Sequence, residues 1–136
     1  VTLFYGIFDA RTGTLEYSSG GHNPPFTIRN GGTVEVLPRR GGTALGVFEN
    51  STYQAGSITL APNDSLILYT DGVTEAEDKS GAFYGTERFS TFLASMAGLP
   101  ASRVTRAVLD DVHAFASGAR QSDDITALAL RFVPSS

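Results

Sequence analysis

Glycine and proline divide the first half of this chain into segments of strand length. Their spacing limits the possible folds more than any other feature of the sequence. The 136 residues include 15 glycines and 6 prolines. Many of them separate short runs of β-branched, aromatic and aliphatic residues, a pattern typical of β-strands joined by tight turns. The predicted strands cover residues 1–8, 14–18, 26–29, 33–37, 52–60 and 65–70.

The second half contains two segments with the periodicity of amphipathic helices. Apolar residues recur at helical spacing over residues 87–97 and 101–117, and a glycine follows each segment. A last strand is predicted over residues 125–133. Strands followed by two helices and a strand predict an α+β fold with the helices on a β-sheet layer, and the length fits one domain over residues 1–136.

Composition excludes several classes of function. The chain has no cysteine, which excludes disulfides, zinc–thiolate sites and cysteine nucleophiles and is compatible with the cytoplasm, where we expect the protein. Its net charge is −4 and its basic residues are scattered, so no nucleic-acid partner is expected. No apolar run reaches the roughly 18 residues of a membrane span, so no membrane partner is expected either.

Three acidic residues lie where predicted strands end or begin. Asp71 follows one apolar strand, and Asp123 and Asp124 precede another. Carboxylates at such points can share Mg²⁺ or Mn²⁺, and in a two-metal site, with ions roughly 3.5–4 Å apart, a bound water that loses its proton near neutral pH can attack phosphorus. Asp71-Gly72 is equally a common turn signal, and either later aspartate can form an Asx-turn. The residues alone leave both interpretations open.

Five segments, in order, resemble the motifs of one family. The SpoIIE-like protein serine/threonine phosphatases, bacterial relatives of the type 2C phosphatases, carry AGHNPP, LG-V, GDxLxLYTDGVTEA, YGxERL and DDIT. The matching segments here are GGHNPP (20–25), LGV (45–47), DSLILYTDGVTEA (64–76), FYGTERF (83–89) and SDDIT (122–126). The resemblance implies an antiparallel β-sandwich with flanking helices and a metal centre at one edge.

The resemblance also implies roles for the acidic residues. Asp71 and Asp123 correspond to metal ligands of a centre that holds two Mn²⁺ or Mg²⁺ ions. Gly72 would let the backbone turn sharply beneath the metal, and Asp124 would support the site or cap the strand without binding the ion. Glu75 is either a distant supporting group or a solvated acid.

The histidines and the adjacent arginines are further candidates, and two of these sites have two interpretations. His22 would contact phosphate or act as an acid, or, the interpretation we favour, His22 and Asn23 hold the proline-rich loop by hydrogen bonds. Arg39 and Arg40 would steer an acidic protein partner or belong to a solvated loop. His113, in the middle of a predicted helix, is expected at the surface.

The function implied by the resemblance is metal-dependent hydrolysis of phosphoserine or phosphothreonine on a regulatory protein, such as an anti-sigma-factor antagonist. Water activated by the metal would attack phosphorus directly, without a phosphoenzyme. The alternative is a pseudophosphatase, a scaffold that binds partners without turnover.

One family motif is missing from the sequence. The family carries DVSGHG or DGMGSG before the region seen here, and its aspartate bridges both metals; no such segment occurs in this chain. We therefore expect a partial, N-terminally truncated domain that binds metal weakly and is nearly inactive. We also expect residues 1–8 to form an exposed edge through which the chain forms homodimers or exchanges strands.

Overall fold

The computed structural model describes residues 1–120 and 124–134. Within these residues, strands dominate the first half and helices the second. The strands are β1 (Leu3–Asp9), β2 (Thr14–Gly20), β3 (Phe26–Ile28), β4 (Val34–Val36), β5 (Gly41–Gly42), β6 (Gly56–Thr59), β7 (Ser65–Tyr69) and β8 (Ala127–Arg131). The helices are α1 (Asp71–Thr74), α2 (Thr86–Ala94) and α3 (Ala101–Phe115).

The strands form two four-stranded sheets. In the first, β2 pairs antiparallel with β1 and β6 and parallel with the two-residue β5. In the second, the order is β4-β3-β7-β8 and every pair is antiparallel. The α+β prediction is therefore confirmed, and the β5 pairing is the parallel exception.

Strand β7 is buried on both of its faces. Leu66 packs between the two sheets with Leu15 and Phe132. Its neighbour Ile67 points the other way, toward the helices, and packs with Phe89 of α2. A strand covered on both sides needs apolar residues at consecutive positions, which is why β7 reads as a continuous apolar run and not as an alternating one.

Aromatic rings form the centre of the core between the second sheet and the helices. The rings of Phe26 and Tyr69 stack with centroids 5.6 Å apart, and Phe89 meets Tyr69 edge-on at 5.0 Å. Val104 and Val108 of α3 are buried in the same cluster. Rings in such offset and edge-on pairs gain about 1 kcal/mol each beyond the burial of their area, so this contact fixes α2 against the sheet that carries β7.

Several predicted element boundaries differ from the observed ones, and one helix was not predicted. The strand expected over residues 52–60 is regular only from Gly56 to Thr59, and the helix expected over residues 87–97 ends at Ala94. Helix α1, which begins directly after β7, was not predicted because its four residues are too few to show helical periodicity.

The segment 83–89 has a structural role in the connection from α1 to α2. The Tyr84 hydroxyl donates a 2.5 Å hydrogen bond to Asp111 of α3, and the Arg88 guanidinium lies over the rings of Tyr84 and Phe115. Burial, and then the bond to Asp111, raise the pKa of Tyr84, so the hydroxyl remains a donor at neutral pH. These contacts anchor the chain that returns from α1 to the helical layer.

No helix among residues 1–120 and 124–134 is both long enough and apolar enough to cross a membrane.

Asp64 joins three segments of the chain through its buried carboxylate and its backbone. The residue is 2% exposed. Its carboxylate accepts bonds from the Arg29 guanidinium at 2.9 Å and from the backbone amides of Asn30 and Ala61, both at 2.8 Å. Its backbone carbonyl accepts from the amide of Phe132 at 2.9 Å. The end of the β3 strand, the turn before β7 and the end of β8 are thus connected through one residue.

The environment of Asp64 favours its charged form. Burial raises the pKa of the carboxyl, but the hydrogen bonds from Arg29, Asn30 and Ala61 outweigh it and hold that pKa below its ordinary value of 3.8. Because the folded state binds a proton less readily than the unfolded state, the stabilisation is fully present above pH 3.8. It is lost as the pH falls through the lower folded-state pKa.

We expect Asp64→Asn to lower the free energy of unfolding at pH 7 by about 2–3 kcal/mol, because the amide cannot replace a charged acceptor of three bonds. The measurement is urea denaturation at several pH values, and the difference from the wild type should shrink below pH 3.8. Asp110→Asn is the matched control, since Asp110 is exposed and makes only a 4.0 Å ion pair with Arg106. Equal losses in the two variants would contradict the assignment.

Candidate metal centre

Asp71 occupies the junction between β7 and α1. Thr70 is the N-cap of α1 and Asp71 is its first residue, while Gly72, Val73 and Thr74 are buried. The Asp71 side chain is exposed, whereas its backbone carbonyl is bonded to the amide of Glu75 at 2.8 Å. A rigid buried strand therefore ends in a carboxylate that faces solvent.

The Asp71 carboxylate accepts a hydrogen bond from the loop between the two sheets. The Asn23 side-chain amide donates to Asp71 Oδ1 at 2.7 Å. Asn23 lies in the segment that connects β2 of the first sheet to β3 of the second. The sequence suggested only that Asn23 holds its own loop, so its contact with Asp71 was missed, although both residues lie in the motifs that carry the family resemblance.

His22, the neighbour of Asn23, contacts its own loop. Its backbone amide donates to Ser19 Oγ at 3.2 Å, and its Nδ1 lies 3.1 Å from the Asn23 carbonyl oxygen. His22 therefore contacts its own loop, whereas the Asn23 side chain, which we also expected to hold this loop, bonds to Asp71 instead.

Thr70 joins α1 to the segment before β8. Its backbone amide donates to the Thr126 carbonyl at 3.1 Å, and its hydroxyl donates to the Asp124 carbonyl at 3.2 Å. The same hydroxyl accepts from the Thr126 amide at 3.2 Å. The segment that begins at Asp124 is therefore fixed against the end of β7, next to Asp71.

Gly72 allows this segment to approach closely. A Cβ at residue 72 would lie 2.0 Å from the carbonyl oxygen and 2.6 Å from the carbonyl carbon of Asp124, distances that no side chain can tolerate. The expectation for Gly72 was a sharp turn, but the geometry gives a different reason for glycine: the α1 backbone packs directly on the backbone of Asp124.

The remaining acidic candidates have different positions. Asp123 lies outside the described residues. Asp124 is exposed, and so is Glu75, which is the C-cap of α1. His113 is exposed on α3, as expected.

Charges of both signs act near Tyr69, the last residue of β7. Burial raises the pKa of Tyr69, the negative charge of Asp71 raises it further, and the positive charge of Arg39 lowers it. Arg39 therefore belongs to the same end of the molecule as Asp71, although the sequence places it in a separate loop.

The described residues offer the type of ligand atom that a hard cation prefers, but they do not offer enough ligands to enclose one. Asp71 offers carboxylate oxygen, the ligand that Mg²⁺ and Mn²⁺ prefer. In the described part of the chain, no three side chains of histidine, aspartate or glutamate gather around a common point. These residues can supply part of a metal centre, in which an ion would take its other ligands from water or from groups outside this set.

Comparison with known proteins supports this interpretation of the fold. The sequence profile of the family described as Stage II sporulation protein E (SpoIIE) matches residues 1–133. Protein IcfG of Synechocystis is 33% identical over 129 residues, and phosphoserine phosphatase RsbU of Bacillus subtilis is 27% identical over 81 residues. These matches cover 95% and 60% of this chain but only 20% and 24% of the two relatives.

Two solved structures share the architecture. The RsbU and RsbW domains of Rv1364c from Mycobacterium tuberculosis superpose with a TM-score of 0.83 at 25% identity, over 99% of this chain and 37% of that one. The phosphatase domain of SpoIIE from Bacillus subtilis superposes with a TM-score of 0.77 at 18% identity, over 99% of this chain and 58% of that one. With the family profile matched along almost the whole sequence and the fold shared, the chain belongs to the SpoIIE family.

Proposed function

We propose that this chain is part of a protein phosphatase that removes phosphate from serine or threonine of a regulatory protein and depends on Mn²⁺ or Mg²⁺. The observation that carries the proposal is the arrangement around Asp71: a carboxylate at the end of a buried strand, bonded to Asn23, with the segment of Asp124 fixed beside it. The relatives support the reaction, since RsbU and RsbP of Bacillus subtilis are named phosphoserine phosphatases.

The relatives also support the metal and the type of substrate. A solved SpoIIE phosphatase domain was presoaked with Mn. SpoIIE of Bacillus subtilis is described as a cell fate determinant, and for this chain we propose, as the substrate, a phosphorylated regulator of the partner-switching type that controls sigma factors. The whole protein's activity and partners are part of this proposal, because the chain spans less than a quarter of the length of the curated relatives named above.

The residues of this chain have distinct roles in the proposed centre. Asp71 would hold the ion together with Asp123, the first residue of the Asp-Asp pair. Asn23 donates a hydrogen bond to Asp71 Oδ1 and so orients the carboxylate. Thr70 and Gly72 hold the Asp124 segment against Asp71. When bound, the metal would activate water and offset negative charge on the phosphoryl oxygens.

In the full-length protein, we expect Asp71→Asn to reduce Mn²⁺-dependent hydrolysis of p-nitrophenyl phosphate at least about hundredfold, and Asn23→Ala to reduce it about tenfold, because outer contacts to a ligand contribute less than the ligand itself. Mn²⁺ affinity, measured by calorimetry, should fall in the same order. Asp9→Asn, at an exposed turn where Asp9 pairs with Arg11, is the control and should retain full activity. A full-length wild type that hydrolyses nothing with either metal would contradict the enzymatic assignment and favour a partner-binding scaffold.

Gly72→Ala tests the contact between α1 and the Asp124 segment. The added methyl group must displace the Asp124 carbonyl, so we expect the free energy of unfolding to fall by about 1–3 kcal/mol and the affinity for Mn²⁺ to fall about tenfold. Gly31→Ala is the matched control, since a Cβ there meets no atom within 4 Å. Unchanged Mn²⁺ affinity in Gly72→Ala would show that this contact does not shape the centre.

We also propose that the chain associates with a second copy through residues 1–8. In the described structure, β1 pairs with β2 on one side only, and Tyr5 is 61% exposed and Ile7 57% exposed on its outward face. Unpaired strand edges with apolar side chains favour pairing between chains. We expect light scattering after size exclusion to show a dimer that Tyr5→Lys converts to a monomer, with Lys79→Glu as a control at a distant turn. A wild type that stays monomeric at millimolar concentration would refute the proposal.

A further inference from the structure

A cleft of about 180 Å³ is lined by His22 and Pro24, the residues on both sides of Asn23, whose side chain bonds to Asp71. Its walls come from the β2–β3 loop, the segment 38–42 and the inner side of the first sheet. The aromatic and proline side chains of Phe4, Tyr17, Pro24 and Pro38 contribute apolar surface, and His22, Arg39 and Arg40 contribute the polar and basic surface. The cleft is thus part apolar and part basic.

The backbone of the basic segment is fixed to the first sheet. The Ser19 amide donates to the Arg40 carbonyl at 2.9 Å, and the Gly21 amide donates to the Gly42 carbonyl at 3.0 Å. Gly41 has φ +128, and a Cβ there would lie 1.9 Å from the Ser19 carbonyl oxygen, so only glycine permits this close parallel pairing. The two arginines therefore stand on a rigid support and not on a free loop.

The side chain of Arg40 is also held in place. Its stem crosses Gly56 so closely that a Cβ on that glycine would lie 2.5 Å from Arg40 Cγ. Its guanidinium donates to the Arg39 carbonyl at 2.8 Å. A guanidinium that is already oriented loses less conformational entropy when it binds an anion.

The two guanidiniums lack an acidic partner within the described structure. Ion pairs within 4.0 Å involve Arg11, Arg29, Arg88 and Arg106, and neither Arg39 nor Arg40 is among them. No aspartate or glutamate lines the cleft among the described residues. In a chain with a net charge of −4, a site with two such cations is complementary to an acidic ligand.

The cleft and Asp71 are connected by consecutive residues. His22 lines the cleft, and the next residue, Asn23, donates its hydrogen bond to Asp71. A polypeptide whose phosphorylated residue lies at Asp71 would therefore have its neighbouring residues at the cleft.

We infer that this cleft binds an acidic side chain of the protein substrate, close in sequence to the phosphorylated serine or threonine. The guanidiniums of Arg39 and Arg40 pair with the carboxylate, and Tyr17 and the prolines contact the apolar part of the same segment. The inference rests on the proposed function for the identity of the occupant, but binding in the cleft itself does not require turnover. It assigns a substrate preference to residues outside the metal centre.

The test is fluorescence anisotropy with three labelled peptides and no added metal. The first contains phosphoserine flanked by glutamates, the second has the same glutamates around unmodified serine, and the third has phosphoserine flanked by glutamines. We expect Arg39→Gln/Arg40→Gln to weaken binding of both glutamate peptides about tenfold and to leave the preference for phosphoserine over serine unchanged. The affinity of the wild type for the glutamate peptides should fall steeply with added salt.

The matched control is Arg103→Gln/Arg106→Gln, which makes the same change in net charge on exposed positions of α3. Equal weakening by both double variants would reduce the effect to general charge attraction and overturn the inference. Weakening confined to the glutamine-flanked phosphopeptide would show that the cleft binds phosphate and not acidic side chains, which also overturns it. No preference of the wild type for glutamate over glutamine peptides would do the same.

The outcome is separable from that of the proposed function. Arginine-dependent peptide binding in a full-length protein without Mn²⁺-dependent hydrolysis would refute the enzymatic function and support the cleft as a binding site for acidic segments. Hydrolysis of p-nitrophenyl phosphate without arginine-dependent peptide binding would support the enzymatic function and refute the binding of acidic side chains in the cleft.

Discussion

The buried carboxylate of Asp64 is the contact on which the position of the candidate site depends. It satisfies the Arg29 guanidinium and two backbone amides, and its own carbonyl receives the amide of Phe132. Strand β7 begins at the next residue and runs, buried on both faces, to Tyr69. Because the strand is anchored at its start and packed along its length, Asp71 has a defined position. The geometry of the site therefore depends on Asp64, which lies at the opposite end of the strand.

Backbone contacts, more than side chains, assemble the site itself. Thr70 bonds the segment of Asp124 through its amide and its hydroxyl, and Gly72 removes the Cβ that would hold that segment away. Such contacts tolerate little displacement, because a protein interior is close-packed. They explain why threonine and glycine stand on either side of Asp71: Thr70 makes the hydrogen bonds to the Asp124 segment, and Gly72 leaves room for that segment.

The sequence allowed the architecture to be predicted because strands and helices of ordinary length leave clear patterns. The apolar run that became β7 and the helical periodicity of α3 were both recognised, and both were confirmed. Asp71 was recognised because it follows such a run.

The contact between Asn23 and Asp71 was not recognised from the sequence. The two residues are 48 positions apart, and neither local propensity nor periodicity indicates a pairing across that distance. Gly72 was expected to allow a sharp turn. The structure requires glycine there because the backbone of Asp124, more than 50 residues later in the sequence, packs directly against it. The role of Asp123 stays a prediction.

The hydrogen bond from Asn23 to Asp71 joins the two layers of the molecule at the site. Asn23 lies where the chain leaves the first sheet for the second, and Asp71 extends from the second sheet. Sliding of one sheet over the other would therefore lengthen or tilt this bond and rotate the carboxylate. A force that acts only on the first sheet would therefore reach the Asp71 carboxylate through this hydrogen bond, without any direct contact with Asp71.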